Sequence, residues 1–226
     1  MFGTPHFLDR DQAGRRLGEA LSRQPIEGPV IVLALPRGGV PVAARVAEEL
    51  RAPLDILVVR KLGVPRHEEL AMGAIASGGG YVLNHDVIRQ LGITTEQIEH
   101  VVALEQEELR RREAEYRGRK PFPDVAGHTV ILVDDGAATG ASMRVAVEAL
   151  RQLGPRAIIA AVPVASREAA EMLDNVADRC TCIIEPDPFY GVGMWYGDFS
   201  EVSDGEVRLL LGDAGRRWGK AAPILV

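Results

Sequence analysis

A doubly wound α/β fold built on a mainly parallel sheet is the architecture this sequence predicts. Short, wholly apolar runs recur, such as residues 30–35 and 129–133, as expected of strands covered on both faces. Segments with apolar residues at helical spacing lie between them. The two kinds alternate along most of the chain, which is the pattern of successive βαβ units.

Residues 9–23 carry Ala13, Leu17 and Leu21 at i, i+4 spacing with polar residues between, an amphipathic helix. The strand at residues 30–35 stops at Pro36-Arg37-Gly38-Gly39. Helical spacing returns through Ala43, Ala47 and Leu50, and residues 55–59 form a second apolar strand ending in Arg60-Lys61. Residues 71–77 and 81–83 flank Gly78-Gly79-Gly80, which predicts a strand, a glycine-built reversal and a hairpin. From Thr94 the chain is strongly charged, with Thr94-x-x-Gln97 as a capping box. Its few apolar residues, chiefly Ile98, Val101, Val102, Leu104, Leu109 and Tyr116, form a narrow seam suited to a lid, a bracket or a subunit contact. Residues 117–124, with two prolines, read as a linker.

A strand at 129–133, a helix at 142–153, a strand at 157–164, a helix at 166–177 and a strand at 180–184 continue the alternation. An aromatic segment from Phe189 to Phe199 follows, then a short helix opened by Ser203-x-x-Glu206 and a loosely held tail from Gly212. The chain of 226 residues is long enough for one large α/β domain and too short for two comfortable ones. Residues 1–226 therefore read as a single domain, with a helical insertion at about 85–120 and a small C-terminal hood at about 185–212.

The formal net charge of -6 gives no general attraction for a polyanion, and an aromatic content of 5% does not suit a base-stacking platform. Nucleic acid is thus excluded as an expected partner, and phosphate binding must come from local geometry. Residues 1–20 hold Asp and Arg where a secretory signal needs an apolar stretch, and no run approaches the ~20 apolar residues of a membrane span. A cytoplasmic protein with no membrane partner is expected. Cys180 and Cys182 share one face of a strand and read as small apolar side chains, and the five histidines show no metal-ligand spacing.

Asp134 and Asp135 follow the apolar run Val130-Ile131-Leu132-Val133, at the strand end where open α/β sheets bind ligands. The segment Gly136-Ala137-Ala138-Thr139-Gly140-Ala141-Ser142 is small and leads into a helix, whose N-terminal N–H groups favour an anion. Two acids before a Thr-Gly-Ala-Ser turn suit a sugar phosphate, the carboxylates taking vicinal hydroxyls and Thr139 and Ser142 donating to the phosphate. The lysine of a nucleoside triphosphate loop and the G-x-G-x-x-G of a dinucleotide fold are both missing. The small loop likewise argues against a phosphatase or acyl-phosphate receiver, which would need a nucleophilic Asp with a lysine beside it.

Residues 130–143 resemble the phosphoribosyl-pyrophosphate motif of type I phosphoribosyltransferases, and the likeness spans roughly residues 30–164. It implies binding of 5-phosphoribosyl-1-pyrophosphate with Mg²⁺ and transfer of the phosphoribosyl group to a nitrogen acceptor, a purine base among the candidates. Gly136, Ala137, Ala138, Thr139, Gly140, Ala141 and Ser142 would cradle the 5'-phosphate, with Asp134 and Asp135 on the ribose. Pro36-Arg37-Gly38-Gly39 is similar to the family's pyrophosphate loop, which often holds a non-proline cis peptide. That likeness implies a Pro36–Arg37 bond that is cis, or becomes cis when diphosphate binds, and N–H groups of Arg37, Gly38 and Gly39 aimed at the diphosphate, the glycines allowing close approach and positive φ. Arg60-Lys61 is similar to a basic pair that often follows the second strand, and the catalytic set implied is Asp134, Asp135, Arg37 and Lys61.

The aromatic segment looks like the nucleobase side of the 6-oxopurine enzymes. On that likeness Phe189, Tyr190 or Trp195 stacks on the base, and Asp198 faces the metal-diphosphate end as a metal ligand, Mg²⁺ being held mostly by the ligand. Two features depart from the family. Ala138 stands where many members place an Asp that acts as base, and the charged helix after Thr94 is longer than in the purine-salvage enzymes. The alternative reading is a non-catalytic module that binds the same sugar diphosphate and regulates a partner. A homodimer is also compatible with the charged helix.

Overall fold

Five parallel strands form the central sheet of the computed structural model, which describes residues 6–118 and 120–218. In spatial order they are β2 (Leu54–Ile56), β1 (Val30–Ala34), β6 (Thr129–Val133), β7 (Ala157–Val164) and β8 (Arg179–Ile184). Side chains alternate across each strand, so the sheet has two apolar faces. Val32, Ala34, Ile131, Val133 and Ile159 pack toward α1 (Arg10–Ser22), α2 (Gly39–Leu50) and α7 (Asp204–Trp218). Leu33, Val130, Leu132, Ile158 and Ala160 pack toward α5 (Ala141–Arg151) and α6 (Arg167–Val176). Helices on both faces of a parallel sheet are the doubly wound α/β arrangement the alternating pattern predicts.

The apolar run at residues 55–59 does not form one strand. The parallel strand ends at Ile56, and the buried pair Leu57 and Val58 turns the chain into an antiparallel ribbon. That ribbon is β3 (Val59–Val64), β4 (His67–Ala76) and β5 (Tyr81–Leu83). Ser77 fixes the corner, its hydroxyl accepting from Val58 N at 2.9 Å and its N–H donating to Val58 O at 2.9 Å. Apolar character marks burial but not which sheet supplies the partner, so Arg60 and Lys61 open the ribbon instead of ending a strand of the parallel sheet. The hairpin around residues 77–80 is present, with Gly78 at φ 83°.

A short helix, α3 (His85–Leu91), is capped by Asn84 and leads to α4 (Thr95–Arg117). The capping box forms as read, Thr94 Oγ1 accepting from Gln97 N and Gln97 Oε1 accepting from Thr94 N. Ile98, Val101 and Val102 pack against Leu62, Val64, Met72 and Ile75 of the ribbon, whereas Leu109 reaches the α2 face of the central sheet. The narrow seam therefore makes α4 a bracket between sheet and ribbon. As far as Trp218 the segment from Gly212 continues α7, with Arg217 on Glu48, and the rest of the expected loosely held tail lies outside the described residues. Among the described residues no helix is long and apolar enough to cross a membrane.

Candidate functional site

Strands β1 and β6 are neighbours in register, Ala34 beside Val133, and their helices α2 and α5 leave on opposite faces. The loops after them meet at this switch point, where open α/β sheets form ligand crevices. A Cβ on Gly38 would lie 2.1 Å from Asp135 Oδ2, and one on Gly39 would lie 2.8 Å from Val133 O. Both glycines are thus required by close approach. Positive φ is not the reason, because Gly38 lies at φ -56° and Gly39 is not among the positive-φ residues. The Pro36–Arg37 bond is cis. Gly39 N donates to Leu35 O at 3.1 Å, so of the three N–H groups expected to face a diphosphate only those of Arg37 and Gly38 lack an acceptor among the described residues.

The two acids differ in their surroundings. Asp134 lines a cleft of about 460 Å³ together with Pro36, Arg37 and Ser142. Burial, and then the neighbouring Asp135 carboxylate, hold its carboxyl well above the usual carboxylate range. Asp135 is taken up inside the protein, with Arg10 Nε and Nη2 on its Oδ2 at 2.9 and 2.8 Å. Burial also raises Asp135, while Arg10 opposes the shift. The Tyr196 hydroxyl donates to Asp135 O at 2.6 Å. Arg10 donates in addition to Ser200 O at 2.8 Å, and its guanidinium lies 3.9 Å from the Phe199 ring centroid.

Beyond the acids, Gly136 abuts Val192 and Ala137 is buried in a bridge to Ala165. Ala138 and Thr139 are exposed, and Gly140 caps α5 at φ 67° with its α-hydrogen side against Met172. Ala141 and Ser142 form the first turn of α5, whose leading N–H groups have no intrahelical acceptor. Among the described residues only Ala141 N finds a local one, Thr139 Oγ1 at 3.4 Å. Acid pair, small loop and open helix end therefore stand together.

Arg37 points into the cleft and pairs with Glu201, with Asp204 Oδ1 3.9 Å away. Asp204 also accepts from the Tyr116 hydroxyl at 2.7 Å, and burial with this bond pushes Tyr116 up to about 12. The far wall comes from α4, where Arg111, Arg112 and Glu115 line the cleft. Arg111 and Arg112 both pair with Glu108, whose carboxyl they hold down at about 2.

Arg60 and Lys61 lie elsewhere, in a neighbouring groove lined by the ribbon and α4. Arg60 Nε pairs with Glu105 at 2.6 Å, and Lys61 Nζ donates to Glu69 O at 3.1 Å. Phe189 and Trp195 pack in a cluster with Phe7 and Tyr196, and Tyr190 is exposed. Asp198 lines a third groove with Arg10 and Arg45, its carboxylate accepting from Ser200 N at 2.9 Å. Among the described residues no three His, Cys, Asp or Glu side chains converge as a metal site. The sequence reading did not find Arg10, Arg111, Arg112 or Tyr196. Arg10 carries no local signal, since its partner is 125 residues away, and the two α4 arginines lie on a helix that the sequence marks only as a lid, a bracket or a subunit contact.

The sequence matches the phosphoribosyl transferase domain family over residues 8–196. It is 42% identical over 219 residues to Rv0571c of Mycobacterium tuberculosis, provisionally named a phosphoribosyl transferase, covering 96% of this chain and 49% of that protein. The chain thus spans about half the length of the curated relatives it matches. The crystal structure of TT1426 from Thermus thermophilus superposes with a TM-score of 0.80 at 43% identity, covering 92% of this chain and 98% of that one. The chain belongs to the phosphoribosyl transferase domain family.

Proposed function

We propose that the cleft binds 5-phosphoribosyl-1-pyrophosphate with Mg²⁺ and that the protein transfers the phosphoribosyl group to a nitrogen acceptor. The observation that carries this reading is the contact of two loops of different chemistry at one switch point, Gly38 against Asp135. A ligand with a sugar between two phosphate ends fits that juxtaposition. The open first turn of α5, with Thr139 and Ser142, suits the 5'-phosphate, and Asp134 suits the ribose hydroxyls. Arg37 and the N–H groups of Arg37 and Gly38 suit the diphosphate, with Arg111, Arg112 and Glu115 on the α4 wall of the same cleft.

In transfer, the acceptor nitrogen forms a bond to the anomeric carbon as the bond to diphosphate breaks, the diphosphate leaving with the electron pair. Asp134 favours the positive charge that develops on the sugar, and the basic side chains favour the departing anion. Mg²⁺, bound chiefly to ligand oxygens, would lower the charge of the leaving group; Asp134 and Asp198 line separate grooves, which fits a metal brought by the ligand. Ala138 offers no base, so the acceptor's proton leaves by a group outside the acid loop.

Ala138 also favours a second reading, a regulatory module that binds the same ligand without transfer. Calorimetric titration with the sugar diphosphate and Mg²⁺, followed by an assay of diphosphate release over a panel of purines, pyrimidines and small amines, separates the two. Binding with release for an acceptor supports the transferase. Binding without release across the panel favours the module, and no binding removes both.

A further inference from the structure

We propose that Arg10 is a positioning residue that divides the work of the acid pair, holding Asp135 as an internal strut so that Asp134 alone presents its carboxylate to the ribose. The proposal rests on the ribose-phosphate reading of the cleft.

Four contacts converge on this assignment. Two guanidinium nitrogens of Arg10 grip one oxygen of Asp135, and the two side chains are only 11% and 15% exposed. The third nitrogen of Arg10 bonds Ser200 O, and its flat face lies against Phe199, so the arginine is clamped from the hood side. The Asp135 carboxylate fills the space that a Gly38 side chain would occupy, closing it beneath the loop after β1. Tyr196 holds the backbone carbonyl of the same residue. Asp135 thereby ties α1, the loop after β1 and the hood to one point, whereas Asp134, one residue earlier, lines the cleft. Removing Arg10 would leave two adjacent carboxylates uncompensated at a buried strand end, free to repel each other and to lose the geometry of the loop.

The test uses the full chain and calorimetry with ribose 5-phosphate as probe, with circular dichroism to monitor folding. Asp134→Asn should weaken binding by about a hundredfold, as loss of charge-assisted bonds to the sugar, and Arg10→Gln by roughly tenfold, as loss of loop geometry only. Asp135→Asn should match Arg10→Gln, and the double variant should be no weaker than either single one, since both break the same strut. Arg10→Lys, which keeps the charge but not the fork, should recover part of the loss. If Arg10→Gln does not fold, Arg10→Lys carries the test, and its loss should vanish in the Asp135→Asn background.

The assignment is overturned if Asp135→Asn costs as much as Asp134→Asn while Arg10→Gln binds as tightly as the native protein or tighter, because Asp135 would then be a ligand group that Arg10 sequesters. Additive losses from Arg10→Gln and Asp135→Asn overturn it as well. A native protein that gives no heat with either ribose 5-phosphate or the sugar diphosphate removes the ribose-phosphate reading itself, an outcome distinct from these loss patterns.

Discussion

Arg117, the last residue of α4, reaches Asp55 of the edge strand β2 with its Nε 3.1 Å from Asp55 Oδ1, and its own side chain is only 4% exposed. The same guanidinium donates to Ile56 O at 2.7 Å, pairs with Glu113 at 2.9 Å and lies over Phe122. All three of its donor groups are committed, so this knot fixes the α4 bracket to the central sheet. Arg117→Ala leaves Asp55 buried without its counter-charge, and burial already raises the Asp55 carboxyl. The expected loss of stability is about 3–5 kcal/mol, the usual cost of removing one partner of a buried pair. Urea denaturation checks it, and a loss below about 1 kcal/mol would show that solvent replaces the partner.

Asp134 should trade stability for ligand contact. Its folded-state carboxyl is raised, so the native state binds more protons than the unfolded chain, and stability falls as pH rises from the ordinary carboxylate value through the raised one. Asp135 and Arg10 are the charged groups that act on it. Asp134→Asn removes the penalty and should raise Tm at pH 7 by about 2–4 °C for each kcal/mol relieved. The gain should shrink as pH approaches about 4, where the native carboxyl is protonated. A thermal scan that finds the variant less stable at pH 7, or a gain that grows toward low pH, contradicts the assignment.

Ser142 stands in the first turn of α5 and lines the cleft beside Asp134. Ser142→Ala should weaken ribose 5-phosphate by about 1–2 kcal/mol, roughly one hydrogen bond to a charged group, with little effect on free diphosphate. Titration with each ligand separately gives the comparison. Equal losses would mean that the helix end serves the diphosphate as well.

Gly38→Ala probes the contact between loops. A loop that served the diphosphate alone would predict selective loss of that ligand. The packing predicts a joint loss, because the new Cβ meets a carboxylate that Arg10 already holds, and relieving the clash must move both loops. Stability should fall by about 1–3 kcal/mol, as for overpacking elsewhere in cores. Selective loss of diphosphate affinity in calorimetry would restore the simpler picture.

Local chemistry made much of this protein legible. The apolar strand before Asp134, the glycines after it and the capping box at Thr94 each act through neighbours a few residues away, and each lies in the element expected of it. What was not legible depends on partners far along the chain. Residues 55–59 have one hydropathy whether they join a parallel sheet or turn at Leu57 and Val58 into a ribbon, and the turn is decided by Ser77. Lys61 shows a basic residue after a strand, but only the ribbon's direction decides that it faces Glu69. Arg10 looks like any exposed arginine at a helix start until Asp135, Phe199 and Ser200 surround it.

The clamp on Arg10 also constrains the order in which the molecule can assemble. Its parts come from residue 10, residue 135 and residues 199–200, so no short stretch of chain can form it. During synthesis, α1 emerges first and the acid loop well before the segment that braces the guanidinium from above. A nascent chain halted before residue 199 would carry both acids and the arginine, yet would lack the ring and the carbonyl that orient them. Contacts of such long range close late, after the loop entropy between them has been overcome. The acid loop should thus be among the last parts of the fold to become rigid, and its competence would report that the whole chain from α1 to the start of α7 has folded.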